Sequence, residues 1–418
     1  MLQIVSNDQI MKILISAYSC ETGRGSEGEI GWRLTNALAE HHDVRVITRA
    51  NLRAIHEASF VETPKPERLK FEYFDLPLIF RFYKNGKRGF LIYYYFWQIG
   101  VGLRARAMLR KEPADLLHHL IGGMDWMPAG LALCSGTFIW GPVGSENTHP
   151  ILMRHQPQLS RIKAILRDTV RWAMRTLDPF TRFTGARATV VLSHTPKTMP
   201  KRYTNRLKSF TQTGITDLPI LALPKTDFTR KSNLKIIYAG ELKDWKGAQM
   251  ALEASLMYFE IDSSAELFVF GEGPLRRKME DIVGSHPKGN QVHFRGKVPM
   301  LQLIEELHSA DMFLYPSFHH GLATIVLQAM LTGLPVVCIE GDATGRAVTT
   351  EAGITVPLYP DQAPSEGLSL AIKKLATDEN LRQVLGATAR KIALERYSYK
   401  VLTSSILDIY LECIKKNT

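Results

Sequence analysis

The strongest constraint on the fold is an alternation that runs the length of the chain. Short apolar, β-branched segments recur between longer amphipathic ones. In the first half the short runs are residues 12–16, 44–48, 70–74, 115–119, 137–140 and 188–192. In the second half they are residues 234–238, 265–270, 292–294, 312–315 and 335–339. Helical patterns such as 29–40 and 248–258 lie between them. Strands that are apolar on both faces and separated by helices predict buried parallel sheets. The expected fold class is therefore α/β, with two Rossmann-like domains.

A polar, proline-containing stretch over 217–233 separates the two sets and predicts the domain boundary. The expected division is 1–216, 217–398, and a C-terminal helix over 399–418 that packs back on the first domain. A chain of 418 residues is long for one core and suits two. In open α/β sheets, ligands bind beyond the carboxyl ends of the strands. Two such sheets are expected to face each other across a cleft.

Apolar residues make up 45% and charged residues 22%, a soluble globular balance that excludes a disordered or fibrous chain. The net charge of +11 favours anionic partners, whether phosphate substrates, nucleic acid or an acidic membrane face. Cys20, Cys134, Cys338 and Cys413 are widely spaced, so neither zinc spacing nor a disulfide framework is read, and the expected compartment is the reducing cytosol. The N-terminus lacks a signal-like leader, and residues 1–10 read as an extension before the first strand. No run reaches the ~18–20 apolar residues of a membrane-spanning helix.

The chemistry-bearing segments fall at predicted strand ends. The first strand runs into a loop with Gly23, Gly25, Ser26, Glu27 and Gly28 ahead of a helix. Glycines let backbone amides approach an anion and a helix start adds positive potential, although a plain flexible loop has the same composition. In the second half Gly240-Glu241-Leu242-Lys243-Asp244-Trp245-Lys246-Gly247 follows a strand and opens a helix. Lys246 suits a diphosphate there, or serves as an exposed lysine at a helix start. Then come Gly271-Glu272-Gly273-Pro274, Phe294-Arg295-Gly296-Lys297-Val298, and Tyr315-Pro316-Ser317-Phe318-His319-His320-Gly321-Leu322, the last leading into a helix with Gln328.

These pieces, in this order, resemble the donor domain of glycosyltransferase family 4, a retaining family with the GT-B fold. "GELKDWKG", "GEGP", "FRGKV", "PSFHHG" and "LQAMLTGLPVV" stand where that family carries its turns. In the first half "YSCETGRGSEGEIGW", "ADLLHHLIGGMDWMPAG" and "WGPVGSENTHP" are similar to a subgroup of bacterial exopolysaccharide synthesis. The resemblance implies a nucleoside-diphosphate sugar donor, UDP or GDP, as substrate, with no cofactor and no metal. It implies that Gly23, Gly25 and Ser26 approach the diphosphate or the acceptor, and that Lys246 neutralises the donor diphosphate beside the Gly240 turn. Amides after Gly321, through Leu322 and Thr324, would cap the same diphosphate. The Gly273 turn, Gly296 and Val298 would lie along the nucleotide, and Gln328 would hold the ribose.

The chain also departs from the family pattern. Two glutamates eight positions apart are His320 and Gln328 here, and the arginine usual beside the lysine motif is Glu241. Gln328 still bonds hydroxyls as a neutral group, and His320 can bind a sugar hydroxyl or carry charge near phosphate. The resemblance implies a catalytic histidine at the end of the fourth strand; His118 and His119 are the candidates, on opposite faces of the strand, with a satisfied structural histidine as the alternative reading. Glu27, Asp125 and Glu146 are candidates for the acceptor side, with helix caps or turn residues as the alternative reading for the last two.

Two segments bear on a membrane. Residues 79–111 interleave Phe82, Phe90, Tyr93, Phe96 and Trp97 with Arg81, Lys84, Lys87 and Arg88. Over 160–187, Arg167, Arg171 and Arg175 share one helical face, while Ile162, Leu166, Val170, Ala173 and Leu177 form another. A basic amphipathic helix suggests docking on anionic lipid, although aromatic helices are ordinarily core and basic stripes ordinarily solvated.

The expected function is a glycosyltransferase that acts on a lipid-linked or saccharide acceptor, peripheral on the inner membrane face. The alternative is a catalytically weak relative that serves as a binding or scaffold subunit. Nucleic-acid binding is not expected, since no module or stacking platform is present.

Overall fold

The computed structural model describes residues 10–22, 26–84, 86, 88–144, 149–155, 158–215, 233–318, 321–341, 343–359 and 361–415. They form two compact units. The first comprises Met1–Ser145, Ile165–Gln212 and Leu402–Thr418; the second comprises Glu146–Ala164 and Thr213–Val401. Residues 217–232 of the expected boundary stretch lie outside the described residues.

The first unit is built on a sheet of β1 (Lys12–Ala17), β2 (Asp43–Arg49), β3 (Leu69–Phe74), β4 (Leu116–Ile121), β5 (Thr137–Val143), β6 (Val190–Ser193) and β7 (Leu207–Ser209). Their order is β3-β2-β1-β4-β5-β6-β7, and every pairing is parallel. β4 and β5 are buried along their whole length, as strands covered on both faces must be. The edge strand β7 was not anticipated from the sequence; it is three residues long and only partly covered.

The helix Phe90–Lys111 covers one face of this sheet. It buries Tyr93, Tyr94, Trp97, Val101 and Ala105, a stripe at helical spacing. Those rings pack with Trp140, Phe138 and Tyr203 in one core. From Leu402 onward the helix Tyr399–Lys415 completes this unit, with Leu402, Ile406, Tyr410 and Cys413 buried.

The second unit has six parallel strands: β8 (Lys235–Ala239), β9 (Glu266–Phe270), β10 (Val292–Gly296), β11 (Met312–Leu314), β12 (Val336–Ile339) and β13 (Gly353–Val356). Their order is β10-β9-β8-β11-β12-β13. The edge strand β13 also escaped the sequence reading, because a segment of four residues lies at the short end of strand lengths and shows no period. The two sheets make the protein α/β, with two Rossmann-like parallel-sheet units. Among the described residues no helix is long and apolar enough to cross a membrane.

Strand-end loops in the second unit lie backbone against backbone. Gly271 has φ +124°, and a Cβ there would run into the Gly240 carbonyl. Gly271→Ala should therefore destabilise the protein by at least about 2 kcal/mol in thermal unfolding. Gly284 lies within the helix Arg276–Ser285 with open space around it. Gly284→Ala should instead stabilise by about 0.5–1 kcal/mol. Equal effects at the two positions would contradict this account of the loop.

Candidate functional site

In each sheet the strand order reverses once, between β1 and β4 in the first and between β8 and β11 in the second. At such a reversal the flanking loops diverge to opposite faces and leave a crevice at the carboxyl edge, where open α/β sheets bind ligands. The loops that leave these four strands contain Asp125, Gly240, Lys246, Gly321 and Leu322 among the residues singled out in the sequence.

In the second unit β8 runs through Gly240 into the short turn Asp244–Lys246. The Lys246 ammonium lies 4.8 Å from the centre of the Trp245 ring and 5.9 Å from that of Tyr315, the first residue after β11. The Trp245 carbonyl accepts hydrogen bonds from the Phe318 amide (3.0 Å) and the Ser317 hydroxyl (3.3 Å). The lysine turn and the Pro316-Ser317 loop are thus fastened together at the reversal point. Gly247 permits this closeness: its φ is +73°, and a Cβ would collide with the Pro316 carbonyl. Glu241, one of the three departures noted in the sequence, has its carboxylate 2.6 Å from the Lys243 ammonium. Its negative charge is balanced locally.

The next loops join this group through the backbone. The Leu242 amide donates to the Glu272 carbonyl, and the Leu275 amide to the Leu242 carbonyl. The turn holding Gly273 is therefore sewn to the lysine turn. Gly296 ends β10 with its carbonyl bound by the Gly271 amide at 2.8 Å. Val298 packs against the core of the unit. Gly321 is half-buried, Leu322 is buried, and Thr324 begins the helix Thr324–Leu331. Gln328 on that helix is only 3% exposed, and its Oε1 is buried with no hydrogen-bond partner among the described residues. A buried acceptor left unsatisfied costs about 1–3 kcal/mol and marks a place where a ligand hydroxyl would be welcome.

Gly23 and Gly25 of the first unit, and Glu146 and His320 of the second, lie outside the described residues. Ser26 begins the helix Ser26–Ala39, and Glu27 is exposed in its first turn. Ahead of it, buried Glu21 accepts from the Cys20 amide at 2.6 Å and from Arg49 at 3.0 Å. Arg49 also donates to the Tyr18 carbonyl at 2.7 Å. The ends of β1 and β2 are locked by this network, which had no signature in the sequence.

The two histidines of β4 take different roles. His118 Nε2 is 2.6 Å from the Gly141 carbonyl and Nδ1 is 2.5 Å from the Tyr410 hydroxyl. A carbonyl only accepts, so Nε2 carries the proton and Tyr410 donates to Nδ1. Both ring nitrogens are thus used inside the fold. His119 turns to the other face, with Nε2 3.4 Å from the Tyr94 hydroxyl near Gly122, where β4 ends. Its Nδ1 is buried without a hydrogen-bond partner among the described residues.

The basic helical face proposed from the sequence needs correction. Within the helix Gln158–Leu177, Arg175 is buried and lies 2.7 Å from the Asp125 carboxylate, with a second contact at 2.9 Å. Arg171 lies over the Trp126 ring at 5.8 Å and 3.7 Å from Asp168, and Arg167 is 3.4 Å from Asp168. Arg175 is therefore an internal anchor rather than a lipid-facing charge. Asp125, a candidate for the acceptor side, is its completely buried partner. Isolated buried charges are prohibitively costly, so each requires the other.

Burial pushes His118 down to about 4 and His119 down to about 3. Histidines of an unfolded chain titrate near ~6.5. Below that pH the unfolded state takes up protons that the folded state refuses, so stability should fall as pH drops from about 6.5 towards 4. Each histidine contributes about 1.4 kcal/mol per pH unit in that window. His118→Gln should remove about that much from the slope of unfolding free energy between pH 6 and 4.5, followed by urea titration. An unchanged slope would show that His118 is already protonated in the fold.

Residues 224–392 match the sequence model of glycosyl transferases group 1. An uncharacterized glycosyltransferase of Methanocaldococcus jannaschii is 26% identical over 172 residues, which cover 41% of this chain and 43% of that protein. The chain spans less than half the length of the curated relatives it matches. Among solved structures, a glycosyltransferase from Rickettsia africae is similar at a TM-score of 0.64 and 12% identity, over 98% of this chain and 100% of that one. HepE of Anabaena in complex with UDP is similar at a TM-score of 0.62 and 14% identity, over 96% and 100%. At such identities the likeness speaks for the fold. The chain thus has a GT-B-type two-unit architecture whose residues 224–392 carry the glycosyl transferases group 1 pattern.

Proposed function

We propose that this protein is a retaining glycosyltransferase that moves a sugar from a UDP- or GDP-sugar to a saccharide or polyprenyl-diphosphate-linked acceptor in bacterial surface polysaccharide synthesis. The reading is carried by one observation. The loops that leave β8 and β11, where the strand order reverses, are tied together through Trp245 and hold Lys246 against Tyr315. A departing nucleoside diphosphate gathers negative charge, and preorganised positive groups lower the barrier to its release. Lys246 supplies one such group, and the start of the helix Thr324–Leu331 supplies the positive end of its dipole.

The Gln328 Oε1, buried without a partner among the described residues, supports a ribose hydroxyl as its donor. The Glu241–Lys243 pair removes the objection that a carboxylate beside the diphosphate would repel it. HepE of Anabaena was solved with UDP, which favours UDP among the donors to try first. On the first unit, His119, Glu27 and the amides ahead of the helix Ser26–Ala39 are the acceptor-side groups in this reading. The proposed reaction uses neither metal nor organic cofactor, and its setting is the cytoplasmic side of the membrane.

The test is nucleotide release from a panel of UDP- and GDP-sugars, with and without saccharide or lipid-linked acceptors. One donor should be consumed. Lys246→Ala should lower kcat/KM for it by about 10²–10³-fold. Gln328→Leu should raise KM about tenfold with less change in kcat. Folded protein that consumes no donor under any condition would overturn the transferase reading in favour of a binding or scaffold subunit.

A further inference from the structure

We propose that two copies of this chain associate through the second unit, along the outer side of the helix Pro364–Thr377 and the edge of β13 beside it. The inner side of this helix packs into the core, with Leu368, Ala371, Ile372 and Leu375 buried. Glu366, Leu370 and Lys374 are exposed. They are spaced by four residues and so form one line along the helix. Leu370, 65% exposed, is the apolar centre of that line, with a carboxylate four positions before it and an ammonium four positions after.

Beside the line lies a cavity of about 340 Å³ between the helix and β13. Ile354, Val356, Tyr359 and Gly367 wall it, and Leu370 and Lys374 line it too. β13 pairs with β12 alone, so its outer edge has no strand partner among the described residues. Tyr359, directly beyond this strand, is 56% exposed. Single exposed apolar side chains are ordinary, but a group of them beside an open groove marks an interaction surface.

The order of charges identifies the occupant as a second copy. A two-fold axis at Leu370 lays two of these helices antiparallel, and in such an interface each contact occurs twice. Leu370 then meets the partner's Leu370, and Glu366 meets the partner's Lys374. The positive start of each helix lies beside the negative end of the other, which is the favourable arrangement of their dipoles. In its own chain Glu366 is bonded to Gln362, a neutral group, at 3.2 Å. The whole chain carries a net charge of +11, which makes most of its surfaces repel their own kind. From 351 to 374, however, it carries three carboxylates and two lysines. Two copies meet there without that repulsion. The inference stands on this surface alone and does not depend on the donor reading.

The full chain is followed by sedimentation velocity from about 1 to 100 µM, where the wild type should show a reversible monomer–dimer equilibrium. Glu366→Lys and Lys374→Glu should each raise the dissociation constant at least about tenfold, because each turns both opposite-charge contacts into like-charge ones. Leu370→Asp should do the same. An equimolar mixture of Glu366→Lys with Lys374→Glu should recover the dimer, since both contacts of the mixed pair are again of opposite sign. All three positions are solvent-exposed, so circular dichroism should report an unchanged fold. A wild type that stays monomeric over the whole range, its groove left to a different protein, would overturn the proposal. So would a dimer that all three variants leave intact, or a mixture that stays monomeric.

Discussion

Because neighbouring strands in both sheets run parallel, the chain must return to the same edge of a sheet before each new strand can begin. Within each sheet, that single requirement gathers the carboxyl strand ends along one edge. The loops there cannot satisfy their backbone groups within the sheet, so they satisfy one another. The Leu242–Glu272, Leu275–Leu242 and Gly271–Gly296 bonds are the result, and they pack the loops so tightly that Gly247 and Gly271 have no room for a side chain. A rim that carries Lys246, a helix start and a glutamine oxygen without a partner among the described residues follows from strand direction and from little else.

Much of this was legible in the sequence. Continuous apolar runs identified the parallel strands because both faces of such strands are covered, and the glycine turns were found because they interrupt those runs. The short edge strands β7 and β13 were not legible, since three or four residues are too few to show a pattern. The Glu21–Arg49 network was hidden for a different reason: it joins residues far apart in the chain whose separate types suggest nothing. Of the β4 histidine pair, alternation said that the two rings face opposite ways, but only the fold shows that His118 is claimed by Tyr410.

The helix Gln158–Leu177 shows where periodicity runs out. A helical wheel separates its apolar residues from its arginines with little ambiguity, yet says nothing about which side is turned inward. The answer comes from Asp125, some fifty positions earlier, whose buried carboxylate demands a cation. Once Arg175 meets that demand, the rotation of the helix about its axis is fixed and the apolar stripe is left to the outside. The ion pair adds little net stability, because desolvation cancels most of its attraction. Its effect is orientation.

The closing helix has a consequence for how the protein is made. The strands of the first unit leave the ribosome early, but the segment that fills the remaining part of its core begins only at Leu402, after the whole of the second unit has been translated. Until Tyr410 arrives, His118 keeps a buried nitrogen without a donor, and the apolar surface that Leu402, Ile406 and Cys413 cover stays wet. The order of maturation is thus the reverse of the order of synthesis: the half that is translated first is the last to be sealed.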